Sequence, residues 1–195
     1  MYTYYSGSPS TTLTNAANAL STTNIANISK ARLGITAESD TYHQNLINWT
    51  RGQDIADADG DGVTTEDRKR LSDPLHSIPL LLTYGGTDEA PDITIFYGDN
   101  EGFLHAIDAD DGTEVFSFIP EALLPNLRVL RDNSQASDHP YGLDGAASAW
   151  TQDLDGDLQI EPGAGDKVYV YLGMRRGGRN YYALDVSDRS TPKYL

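Results

Sequence analysis

Short runs of alternating apolar and polar residues, separated by glycine and aspartate turns, organise most of the second half of the chain. Thr94 to Phe118 reads TIFYGDNEGFLHAIDADDGTEVFSF, and Val168 to Leu195 reads VYVYLGMRRGGRNYYALDVSDRSTPKYL. Each stretch gives a strand of period two, a Gly-rich turn, a second strand ending in Asp, a polar turn and a third strand. A unit of this kind that recurs predicts the blades of a β-propeller. Gly98 and Gly173 lie 75 residues apart and Asp108 and Asp185 lie 77 apart. A compact blade takes about 40 to 50 residues, so the unit is a long blade carrying insertions. The second copy reaches Lys193, Tyr194 and Leu195 inside its last strand, whereas a ring needs about four to eight blades to close. The expected fold is mainly β: a partial β-propeller of about one and a half blades with helical and acidic-loop insertions, a fragment of a larger propeller.

The pattern divides the chain into four parts. Residues 1–40 are rich in Ser, Thr and Asn and read as a leader, loop or part of a preceding blade. Residues 41–76 predict a helix to about Arg51, capped by Asp40 and striped by Leu46, Ile47 and Trp49. Gly52 ends it, an acidic loop follows, and a short helix EDRKRL is capped by Thr64 or Thr65. Residues 77–140 form the first blade, with strands at Ser77–Tyr84, Ile93–Asp99, Gly102–Asp108 and Thr113–Ile119. The insertion EALLPNLRVL, broken by Pro125, follows them. Residues 141–195 form the second blade, truncated, opened by Tyr141 to Trp150 and interrupted by a second acidic loop before Lys167–Gly173.

Charge narrows the partners. The chain has 29 acidic against 14 basic residues, a net charge of -15, which would repel nucleic acid and anionic membrane but suits a binder of cations. It has no cysteine, so thiol catalysis is excluded and disulfides say nothing of the compartment. No apolar run of about 18 residues is present, hence no membrane insertion is expected. The opening MYTYYSGSPS lacks the basic and apolar regions of a signal peptide, so an export signal is expected upstream.

Two acidic segments carry the candidate chemistry. In Asp57-Ala58-Asp59-Gly60-Asp61-Gly62-Val63, carboxylates fall at alternate positions, Gly is sixth, and the Val63 carbonyl would be the next ligand. This is the first half of an EF-hand loop, whose alternating oxygens wrap a hard cation; a flexible, all-protein oxygen cage suits Ca2+ better than Mg2+. Position twelve is Arg68 rather than the bidentate Glu, so Glu66 or Asp67 would have to close the shell. The alternative is a solvated acidic turn. In Asp153-Leu154-Asp155-Gly156-Asp157-Leu158-Gln159-Ile160-Glu161, oxygen-bearing side chains again alternate, at Asp153, Asp155, Asp157, Gln159 and Glu161. Its sixth residue is Leu158, so it is expected to turn differently, with Leu158 and Ile160 as inward anchors and Asp166 as a further carboxylate. A nine-residue calcium loop and a structural acidic hairpin both fit. The four histidines share no spacing, so neither a zinc site nor a His-based catalytic set is expected. The arginines of RRGGRN are expected to pair with neighbouring acids.

Taken in order, LINWTRGQD, DADGDGVTTEDRKRLSDPLHS, FYGDNEGFLHAIDADDGTEVFSFIPEALLPNL, HPYGLDG and VYLGMRRGGRNYYALDV resemble the C-terminal propeller of the PilY/PilC family of type IV pilus tip-associated adhesins. The likeness covers about residues 45 to 190. It implies a modified seven-bladed propeller displayed extracellularly, at the pilus tip or outer cell surface. Such a protein is not an enzyme; it would support pilus extension and attachment in a calcium-dependent manner, with pilin or minor pilins as partners. The acidic loop beside the RG-x-D segment maps the implied calcium site onto Asp57, Asp59, Asp61 and Val63. Gln53 separates Arg51-Gly52 from Asp54, so an integrin-type RGD is not implied. Two other readings stand beside this one. GDNEGFLHAIDADDGTEVF is also similar to blades of quinone-dependent dehydrogenases, although Phe116 replaces the Trp those blades often carry. A calcium-stapled structural module of another surface protein would share the acidic loops.

Overall fold

The structure, a computed structural model, describes residues 1–68, 72–133 and 139–195. Among these, two four-stranded antiparallel sheets dominate, each in simple sequential order. The first comprises β1 (Leu80–Thr87), β2 (Ala90–Gly98), β3 (Leu104–Asp108) and β4 (Glu114–Phe118). After α2 (Asn126–Asp132), the second comprises β5 (Ser148–Gln152), β6 (Lys167–Gly173), β7 (Tyr181–Asp185) and the two-residue β8 (Lys193–Tyr194). The expected strands are therefore present, with shifted ends. Pro79 has no amide to donate, so β1 starts at Leu80 rather than Ser77. Ser77 instead accepts from the Gly98 amide at 2.8 Å through its hydroxyl. Beyond Tyr84, β1 continues through Gly85 and Gly86 to Thr87 over an irregular step in register. Residues 141–147 are not strand; the second sheet begins only at Ser148.

Alternation becomes burial where the sequence is most regular. In β6, Val168, Val170 and Leu172 turn inward while Tyr169 and Tyr171 do not. Their face meets Leu184 of β7 and the aromatics Phe96, Phe116 and Phe118 in one continuous core. Phe118 packs edge-on against Tyr182, 6.3 Å between ring centres, which joins the sheets. Tyr84 donates its hydroxyl to the Val186 carbonyl at 2.7 Å, and Arg189 pairs with Asp92 at 2.6 Å.

The first 38 residues are largely loop, as expected, and are packed into the core. They contain two short 3-10 turns (Ala16–Asn18 and Thr22–Asn24) and otherwise no regular element, yet Leu13, Leu20, Ile28, Leu33 and Ile35 are fully buried in the core. Asn18 replaces the missing ladder: its amide donates to the carbonyls of Ser10 and Thr12 at 2.9 and 2.8 Å. The segment also runs along both outer strands. The Tyr2 amide donates to Ser117 in β4 at 2.8 Å, and the Tyr194 amide of β8 donates to Thr11 at 2.8 Å. One edge of each sheet, β4 and β8, thereby has part of its backbone paired within the chain.

α1 (Asp40–Thr50) buries Leu46, Ile47 and Trp49 as the stripe predicts. Its cap is Ser39, whose hydroxyl accepts from the Tyr42 amide at 3.0 Å; Asp40 is the first helical residue and pairs with Lys30 at 2.7 Å. The short helix expected after Thr65 is not formed at residues 66–68, where Asp67 bridges Gln53 instead; its remainder lies outside the described residues. No helix among the described residues is long and apolar enough to cross a membrane.

Candidate metal-binding loops

The first acidic loop is closed at its base by backbone pairing. The Asp54 amide donates to the Glu66 carbonyl at 2.8 Å and the Arg68 amide to the Gly52 carbonyl at 2.5 Å, with Gln53 and Asp67 bridged between them. Gly52, with φ +97°, releases the chain from α1 into this stem. At the tip, Asp57 Oδ1 accepts from the Gly62 amide at 3.0 Å, five residues on, while Asp61 Oδ1 accepts from Val63 at 2.7 Å. Carboxylate oxygens of Asp57, Asp59 and Asp61 come within 4.8 Å of one another, on the exposed side. Asp59 also lies in a second cluster of the same dimension with Asp54 and Glu66. Of the two residues proposed to complete the shell, Glu66 is thus near the loop carboxylates. Asp67 sits on the stem and belongs to neither group, and Val63 is exposed with its amide committed to Asp61.

The second loop wraps in the same manner. Asp153 Oδ2 accepts from the Leu158 amide at 2.8 Å, again five residues on, and Asp153 Oδ1 accepts from Gly156 at 2.7 Å. Leu158 therefore does not turn the loop differently: it takes φ +66°, the left-handed region that Gly62 occupies at +87° in the first loop. Nor does Leu158 point inward, being 86% exposed, whereas Ile160 is buried and its amide donates to Thr83 of β1 at 2.9 Å. A side chain in the left-handed region is strained by roughly 1 to 2 kcal/mol. With so little contact to lose, Leu158→Gly is expected to raise stability by about 0.5 to 1 kcal/mol in urea unfolding; a lower midpoint would show that Leu158 packs in a way its exposure does not reveal.

The electrostatics of this loop are those of crowded carboxylates. Oxygens of Asp153, Asp155 and Asp157 converge within 4.8 Å. The Gly156 and Leu158 amides hold the Asp153 carboxyl below its ordinary pKa. Asp155 accepts from the Asp157 amide, which favours its charged form, yet desolvation and the fields of Asp157 and Asp153 carry its pKa up. Glu161 is raised mainly by Asp157, so it feels the cluster without joining it. Gln159 donates its amide to Asp157 at 3.0 Å. Asp166 is a brace, its two oxygens accepting from the Leu154 and Glu161 amides, both at 3.0 Å.

Of the remaining polar residues, Arg175 approaches the buried Asp144 at 3.7 Å and Arg176 lies over Tyr141. His43 reaches the Ile28 carbonyl, and His76 pairs with Asp144 at 2.6 Å. Two features escape sequence reasoning. Asp54 lies outside the alternating run, and His105 joins Asp99 and Glu114, partners that only the β2–β3–β4 register brings together.

The chain is similar to proteins named as type IV pilus biogenesis factors. It is 35% identical over 101 residues to a "Type IV pilus biogenesis factor PilY1 homolog" of Xylella fastidiosa, covering 52% of this chain and 8% of that protein. It is 28% identical over 134 residues to "Type IV pilus biogenesis factor PilY1" of Pseudomonas aeruginosa, covering 64% and 10%. A second Pseudomonas aeruginosa protein of that name is 26% identical over 180 residues, covering 81% and 14%. The chain thus spans only a small part of the length of these relatives. No protein-family profile matches it, and no solved structure does.

Proposed function

We propose that this chain is a calcium-binding, blade-forming segment of a type IV pilus-associated surface protein. In this reading its two meanders are neighbouring blades of a β-propeller and its role is assembly and attachment rather than catalysis. The observation that carries the reading is the similarity to pilus biogenesis factors over as much as 81% of the chain. Two four-stranded antiparallel meanders are what adjacent blades require. Each acidic loop also gathers three carboxylates around a tip wound by the same five-residue wrap. Without a cation these carboxylates repel; with Ca2+ they are bridged, so the ion would hold each loop closed. The site of action is extracellular, at the pilus or cell surface, with pilin or minor pilins as partners.

Calorimetric titration of the chain with Ca2+ tests the metal part. Asp155→Ala is expected to weaken binding at the second loop about tenfold or more, because affinity follows the number of charged ligands. Unchanged affinity would remove that loop as a site. For the pilus part, in-frame removal of this segment from the full-length protein is expected to reduce surface pili; normal piliation, with the shortened protein exported, would refute it.

A further inference from the structure

We propose that the first loop grips its cation with Asp54, Asp59 and Glu66, so that a ligand from the buried stem, outside the alternating Asp57–Asp61 run, anchors the ion. This deepens the calcium reading above and rests on it. Asp54 is only 5% exposed. One of its oxygens, Oδ2, accepts from the Ala58 amide at 2.9 Å, while Oδ1 is buried with no hydrogen-bond partner. A carboxylate oxygen buried without a donor costs about 1 to 3 kcal/mol or more, so a native fold supplies something to meet it. Ligand atoms of Asp54, Asp59 and Glu66 all fall within 4.8 Å of one another. Oxygens at that spacing can share one ion with bonds of roughly 2.4 Å, the Ca2+ range. The stem fixes two of the three, since the Asp54 amide bonds the Glu66 carbonyl, and the tip delivers Asp59.

The surroundings favour a cation. The cluster lines a cavity of about 700 Å3 to which Asp67, Asp73 and Glu101 also contribute, with Arg68, Arg131 and His139 as its described basic residues. Arg68 stacks over Trp49 at 4.1 Å and donates to the Trp49 carbonyl. Burial, reinforced by Asp99, pushes the Glu101 carboxyl above its ordinary pKa, as expected of an acid in a negative, partly dry setting. In the alternative set, Asp57, Asp59 and Asp61, no member is buried and each carboxylate accepts from a backbone amide, whereas Asp54 is buried and keeps one oxygen without a donor.

Calorimetry with Ca2+ on the chain carrying Asp155→Ala, in which the second loop is weakened, separates the first loop as the tighter site. Asp54→Asn and Glu66→Gln in that background are each expected to weaken binding about tenfold or more, and Asp61→Asn by less than about threefold. If Asp61→Asn removes binding while Asp54→Asn and Glu66→Gln leave it unchanged, the stem does not ligate the ion and the proposal fails, although the calcium reading of the loop stands. If the Asp155→Ala chain, folded by circular dichroism, binds no Ca2+, the calcium reading of this loop fails and takes the proposal with it. Should Asp54→Asn not fold, the half-buried Glu66→Gln decides alone.

Discussion

Gly177→Ala is expected to cost at least about 3 kcal/mol, although it adds a single methyl group. A Cβ at this position would stand 1.9 Å from the Gly142 carbonyl oxygen and 2.8 Å from that of Tyr141. Both obstacles are backbone, and the backbone there cannot retreat. A Cβ on Gly142 itself would meet the Gly102 nitrogen at 2.4 Å and the Asp99 oxygen at 2.6 Å. The strap from Tyr141 to Gly145 is fixed at both ends, its Leu143 amide donating to Asp99 at 2.9 Å and its Gly145 amide to Gly173 at 3.1 Å. One turn of each sheet is thereby locked to the other through glycine backbones. Gly163 supplies the control: a Cβ there meets nothing within 4 Å, and Gly163→Ala is expected to stay within about 0.5 kcal/mol of wild type. Equal urea midpoints for the two variants would show that the strap yields, and that the sheets are not coupled through it.

The same strap explains how much could be read in advance. GDNEGF and RRGGRN are recognisable as turns because glycine marks positions where the chain must bend, whereas Tyr141 to Trp150 reads as the opening of the second blade and is strand only from Ser148. That Gly102, Gly142 and Gly177 meet one another is a tertiary fact, and no periodicity encodes it. Strands were legible wherever one face is buried, as in β6, since alternation records burial directly. The N-terminal segment was misleading for the opposite reason. Its buried Leu13, Leu20, Ile28, Leu33 and Ile35 follow no helical or strand period, because side-chain bonds such as those of Asn18 hold the backbone instead. At the acidic loops, the alternating carboxylates were visible, but the turn at Leu158 was hidden by a side chain that tolerates a strained backbone. Asp54 stands three residues before Asp57 and so falls outside the two-residue alternation that marks the run.

His105→Gln is expected to destabilise the chain by about 3 to 5 kcal/mol and to flatten its stability between pH 7 and pH 9.5. His105 is 5% exposed and lies between two carboxylates, its Nε2 2.9 Å from Asp99 and its Nδ1 2.7 Å from Glu114. Both acids are held from behind. Asp99 Oδ1 accepts the Gly102 and Phe103 amides at 2.8 Å each, and Glu114 Oε1 accepts the Ser117 hydroxyl at 2.7 Å. Tyr97 stacks on the imidazole, 5.0 Å between ring centres. Burial alone would lower the pKa of His105, but the hydrogen bonds to Asp99 and Glu114 outweigh it and raise the value to about 9. An unfolded histidine titrates near 6.5, so the network contributes its full stability below that pH and loses it as pH rises through 9, a difference of about 3 kcal/mol. Glu114 works in the other direction: burial would raise its pKa, His105 and Ser117 hold it down, and its contribution disappears only as pH falls through that depressed value. The Met1 ammonium also acts on Glu114 and is itself pushed down by burial, so the wild-type curve minus that of His105→Gln, rather than either alone, isolates the histidine. Glutamine is uncharged and carries both of its N–H donors on one atom, so it cannot reproduce donors at the two separate ring-nitrogen positions, which leaves one carboxylate without its partner. Urea midpoints at half-unit steps from pH 6 to pH 9.5 provide the measurement. A constant difference across that range would mean that His105 is neutral in the folded chain and that Asp99 and Glu114 are held apart by the sheet alone.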